Sequence, residues 1–171
     1  MASLIEELIT TLEQEYEIYE KLVPIEEKKT KIIVKGDLEA LQQITEQEQA
    51  IVEKINHLEH KRTEVVNNIG IVIGKDPQIL RVQTIIEILD KQPKDQQQLN
   101  SVHEKLKKIV LRLADINNHN NALIQQSLEM IEFNMNFIQS AQMLNMNNGY
   151  NKGASQFDTP VMGTRMFDTK Q

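Results

Sequence analysis

Apolar residues recur along this chain at alternating steps of three and four. The first run is Ile5, Leu8, Leu12, Tyr19, Leu22 and Ile33, with Glu15, Glu26 and Lys29 at the intervening seam positions. That rhythm predicts a helix of coiled-coil type over about 3–35. Ser3 and Glu6 have capping-box spacing at its start. Gly36 supplies a stop and Asp37 a cap for the next helix. Pro24 falls opposite the seam, where the carbonyl it frees at Glu20 faces water, so a kink is expected there rather than an end.

The second run repeats the pattern at Leu41, Ile44, Ile51, Ile55, Leu58, Val65 and Ile69, interrupted by Glu48 and Arg62, and predicts a helix over about 38–69. Folding the two runs antiparallel about Gly36 leaves a choice of register. One choice pairs Ile33 with Ile44, Leu22 with Ile55 and Leu12 with Val65, and also sets Lys29 against Glu48 and Glu15 against Arg62. A slip of one heptad places all four charges against apolar residues, so the first register is expected. It leaves Glu26 facing Ile51 without a partner.

GIVIGKD (70–76) reads as a break bounded by glycines, and Asp76-Pro77 as the cap and first residue of a short helix over about 77–90. Ile79, Val82, Ile86 and Leu89 form its expected apolar side. KQPKD (91–95) is the next linker, with Asp95 as the expected cap of a final helix over about 96–147.

That final helix carries the seam Leu99, Val102, Leu106, Ile109, Leu113, Ile116, Asn120, Leu123, Ser127, Met130, Asn134, Phe137, Ala141 and Leu144. At 1.5 Å per residue it spans roughly 80 Å, against roughly 48 Å for the second helix. The expectation is that it projects, breaks or pairs with another chain. Beyond Asn120 a second stripe appears beside the seam, at Ile124, Leu128, Ile131, Met135 and Ile138, and widens the apolar arc to roughly 200°. Residues 117–148 carry only two formal charges, Glu129 and Glu132. A second stripe needs a second neighbour: another helix of this chain, a second copy, or a helical client against which Met packs adaptably. From Gly149 the periodicity ends, and 149–171 is expected to be a flexible tail bearing Phe-Asp-Thr twice, at Phe157 and Phe167. Those two islands are candidate binding motifs.

The chain has 171 residues, a net charge of −6, no Cys and 4% aromatic residues, so Leu, Ile and Val must build the core. Lack of Cys excludes disulfides and thiolate metal sites and fits a reducing compartment. The acidic first residues are unlike a signal peptide, and no apolar run approaches a membrane span. Net acidity argues against nucleic acid as a partner. His57 and His60 lie three apart, but Glu-x-x-His occurs nowhere, so they read as solvated side chains rather than metal ligands. No phosphate-binding loop, dinucleotide motif or nucleophile elbow is present. No catalytic residue, metal or cofactor is expected. The fold class is all-α: an antiparallel hairpin, a short helix and a long last helix.

Several of these features occur together in one family. The acidic first helix, the Gly36-Asp37-Leu38 turn, LEHKRTEVV (58–66), ILRVQTIIEIL (79–89) and NNHNNALIQQSLEMIEF (117–133) resemble the FlgN-like flagellar export chaperones over about 1–148. Pro24 departs from a straight first helix. The resemblance implies a cytoplasmic chaperone whose C-terminal helix region binds the C-terminal helices of the hook–filament junction proteins and delivers them to the flagellar type III export apparatus. The client-binding residues expected here are Leu123, Ile124, Leu128, Met130, Ile131, Met135, Phe137 and Ile138. A homodimeric coiled-coil scaffold is the alternative, because it needs the same stripe.

Overall fold

A computed structural model describes residues 2–77 and 79–148, and all the secondary structure among them is helical. Four α-helices follow one another: α1 (Ala2–Lys35), α2 (Leu38–Ile73), α3 (Val82–Ile88) and α4 (Pro93–Asn148), with a 3₁₀ turn at Leu89–Lys91 after α3. The chain divides into two units, Met1–Ser127 and Leu128–Gln171.

In the first unit α1 and α2 form the antiparallel hairpin in the expected register. Arg62 Nη1 donates to Glu15 Oε2 at 2.7 Å, and Lys29 Nζ donates to Glu48 Oε2. Leu22 packs with Ile55, and Leu12 with Val65, in the two apolar clusters of the core. α1 runs through Pro24, which is exposed on the solvent side. The turn between the helices is two residues long. Gly36 adopts φ 69, its N–H donates to Ile33 O, and Asp37 N–H reaches back to Ile32 O, which closes the end of α1 as a Schellman motif. The Asp37 carboxylate then accepts from Ala40 N–H at 3.0 Å and opens α2.

Three boundaries differ from those the sequence suggested. α2 does not break at Gly70 but continues to Ile73, and Gly74, at φ 68, ends it. Gly70 serves packing instead. A Cβ there would lie 3.2 Å from both Lys75 O and Pro77 Cγ, so its absence lets the chain fold back across the helix. Pro77 belongs to that returning turn and does not start a helix. α3 begins only at Val82, with Arg81 extended before it and no side-chain cap. Ile79 is therefore outside the helix and exposed, and Leu80 and Ile85 join Ile86 and Leu89 in the core in its place. Finally, α4 starts at Pro93, so Asp95 lies in the first turn rather than at the cap. Gln96 Nε2 turns back to cap Ile86 O at 2.9 Å, which ties the start of α4 to the end of α3.

α1 has two buried faces. Besides the seam toward α2, it buries Ile9, Thr11, Val23 and Ile32. The early part of α4 packs into the same core, with Leu99, Val102 and Leu106 against Ile5, Leu8 and Ile69, and Leu113 against Leu22 and Val23. α4 thus runs parallel to α1, and Thr30 meets Asn120 at a separation of 90 positions.

Two carboxyl groups are enclosed in this interior, those of Glu15 and Glu26. Burial pushes the Glu15 carboxyl up to about 7, against the opposing pull of Arg62. Burial also raises the Tyr19 phenol to about 12, helped by the neighbouring Glu59 that its hydroxyl donates to.

Candidate functional site

Beside its apolar seam, α4 makes a buried polar contact with α1. Asn120 is buried, donates Nδ2 to Glu26 O at 3.3 Å and Glu26 Oε2 at 3.2 Å, and its Oδ1 accepts from Thr30 Oγ1 at 2.6 Å. This is the partner that the hairpin register left Glu26 without. Burial, followed by the adjacent Glu48, raises the Glu26 carboxyl to about 6, while Lys29 and Asn120 pull the other way. Arg112 adds an exposed bond to Glu27 at 2.6 Å.

Asn120 is also where burial stops. The separation of 90 positions, carried to the last residue of α1 at Lys35, reaches α4 close to Gln125. Beyond that point α1 has no residues left to offer. Leu123 and Ile124, the last two candidate residues in the first unit, are already half-exposed. On the seam, Leu113 and Asn120 before Leu123 are buried, so the opening of Leu123 follows the loss of a neighbour. On the second stripe, Asn117 and Asn121 before Ile124 are polar and already exposed.

The other six candidates belong to the second unit. Leu128, Met130, Ile131, Met135, Phe137 and Ile138 are all exposed, and even the least exposed of them, Ile138, keeps 51% of its surface. Phe133, Met143 and Leu144 are as open, with Met143 at 69%. Phe133 was missed in the sequence because it fits neither the seam nor the second stripe. It lies three residues after Met130 and four before Phe137, and so borders the seam on its far side. With it, apolar side chains occupy more of the helix circumference than the two stripes alone. Ser127 and Ser140 turn their hydroxyls inward to Leu123 O and Asn136 O, so neither offers its donor outward.

This surface has no acid–base pair, nucleophile or ligand cluster. Among the described residues no group of three or more His, Asp or Glu is placed to hold a metal ion, and His57 and His60 are exposed. Among the same residues no helix is long and apolar enough to cross a membrane. What the surface can do is bury itself against another apolar surface. Contiguous exposed apolar area is the feature that interaction surfaces share. The Phe157 and Phe167 motifs and the expected tail flexibility lie outside the described residues.

A comparison with protein families finds a match to the family described as FlgN protein, over residues 1–156. No curated protein and no solved structure matches the chain.

Proposed function

Because this chain belongs to the FlgN family, whose members are flagellar export chaperones, we propose that α4 beyond Asn120 is its client-binding element. Leu123, Ile124, Leu128, Met130, Ile131, Met135, Phe137 and Ile138 take up the C-terminal helices of the hook–filament junction proteins. The protein does this in the cytoplasm, keeps those helices soluble, and passes them to the flagellar export apparatus. The observation that carries the reading is the run of open apolar side chains from Leu128 to Leu144, accompanied by only two acidic residues. An amphipathic helix laid along such a surface is anchored at three- and four-residue steps, and the methionines adapt to two different clients without a fixed jigsaw.

The test is capture of purified junction-protein C-terminal helices by the wild-type chain and by the double variant Leu128→Glu, Ile131→Glu. Capture should disappear in the variant while the hairpin of α1 and α2 keeps its unfolding transition. If the variant instead loses self-association and still binds the client, the stripe is a dimer interface.

A further inference from the structure

A recess lies wholly within the first unit, between α2, Pro77 with residues 80–83, and α4, with a volume of about 1000 Å³. It does not involve the exposed stripe. Its floor is apolar, made by Leu12, Val66, Leu80 and Leu106, all buried in the core. Its walls carry Arg62, Arg81 and Lys107, and among the described residues no carboxylate lines it. In a chain with 25 Asp and Glu against 19 Lys and Arg, that is a local reversal of sign.

The cations are placed to be used. Arg81 and Lys107 are exposed. Arg62 spends one nitrogen on Glu15, and its side chain remains 31% exposed. His103 also faces the recess, and its buried Nδ1 has no hydrogen-bond partner; the nearest carboxylate oxygen, Glu104 Oε1, stands 3.8 Å away. Val110 extends the apolar floor toward solvent at the open edge. A buried nitrogen without a partner, beside three cations and above an apolar floor, is an incomplete site.

We propose that this groove docks an acidic amphipathic segment of a partner protein. One or two Leu- or Phe-sized side chains rest on Leu80, Val66 and Leu106, and flanking carboxylates meet Arg81, Lys107 and Arg62. The apolar anchors supply most of the affinity, and the charges select sign and orientation. The partner is distinct from the export client, because the stripe offers no cation to a carboxylate.

The probe is a synthetic amphipathic helix of about four turns, with Leu at three- and four-residue steps and Glu elsewhere. It is titrated into the isotope-labelled full chain and followed by amide chemical shifts. Shifts should centre on Val66, Leu80, Leu106 and Val110, and the affinity should fall as salt is raised. Arg81→Glu with Lys107→Glu, both at exposed positions, should weaken binding by about tenfold or more. The variant Leu128→Glu, Ile131→Glu should bind the probe unchanged, so that loss of the client reading leaves this result standing. Equal binding of the same peptide with Lys in place of Glu would overturn the proposal, as would shifts centred elsewhere. A self-association abolished by Arg81→Glu would assign the groove to a second copy and overturn it too. So would displacement of the probe by a peptide of residues 149–171, which would give the groove to the chain's own tail.

Discussion

Asn120 donates to both the backbone oxygen and the carboxylate of Glu26, at 3.3 and 3.2 Å, across 94 positions of sequence. The amide also accepts from Thr30, so one side chain joins α4 to α1 through three hydrogen bonds. Replacing Asn120 with Ala strands a buried carboxylate oxygen of Glu26, while the Glu26 backbone oxygen keeps its bond from Thr30 Oγ1. The change should cost about 2 kcal/mol at neutral pH. Urea unfolding measures it. An unchanged midpoint would mean that apolar packing alone sets the position of α4.

Protonation of the buried acids gives stability a definite slope with pH. Glu15 and Glu26 have folded-state values of about 7 and about 6, both above the ordinary 4.5. Between 4.5 and 7 the folded protein therefore holds more protons than the unfolded chain, and stability falls as pH rises through that window. Above it the loss is complete. The chain should be more stable at pH 5 than at pH 8 by roughly 2–4 kcal/mol. Glu15→Gln, which keeps an acceptor for Arg62 and removes the charge, should flatten most of the slope. Stability that increases from pH 5 to pH 8 would contradict the burial of these carboxyls.

The register of the hairpin is tested by charge exchange. Lys29→Glu sets a third acid beside Glu26 and Glu48, and should destabilise by about 1–2 kcal/mol, since these groups are only partly solvated. Adding Glu48→Lys should restore about half of that, because the new lysine faces the same acids. A double-mutant cycle with no coupling would mean that this pair does not oppose a heptad slip.

The hairpin was legible in the sequence because charge and apolar pattern agreed on one register at four positions: Lys29, Glu48, Glu15 and Arg62. The region from Gly70 to Asp95 was not. There glycine and proline signalled a local turn, but tertiary contact decided their use. Gly70 lies inside α2, with Pro77 packed where a side chain would be, and Pro93 rather than Asp95 opens α4. The groove beside Arg81 was hidden for a similar reason. Its walls come from three separate segments, and nothing in their local patterns marks them as neighbours. The stripe at 124–138 was readable as a pattern, and its exposure followed once the length of α1 was set against that of α4.

Gly70 supplies a direct check on that packing. Alanine gains about 1 kcal/mol of helix propensity over glycine, but its Cβ crowds Lys75 O and Pro77 at 3.2 Å. The two effects should nearly cancel, which leaves Gly70→Ala within about 1 kcal/mol of wild type. Gly70→Val lacks most of the propensity gain and enlarges the clash, so a loss of about 2 kcal/mol or more is expected. Thermal unfolding of the two variants side by side separates the cases. Equal stability for Ala and Val would show that the turn yields freely.

The proposed client surface should bind with the thermodynamics of apolar burial. Only Glu129 and Glu132 carry formal charge in residues 117–148, and the open apolar side chains there are Leu, Ile, Met and Phe. Binding a junction-protein C-terminal helix should therefore show a clearly negative heat-capacity change. It should change little in affinity between about 0.05 and 0.5 M salt, where screening strips away long-range charge attraction. Truncating Phe137 or Leu128 to Ala should each cost about 1–3 kcal/mol if the residue is a buried anchor in the complex. Phe133→Ala should cost as much if the client covers the far border of the seam, and nothing if it follows the second stripe alone. Calorimetry across temperature and salt measures all of these. A steep salt dependence would mean that the client is held through charge, and the apolar stripe would then be the wrong surface.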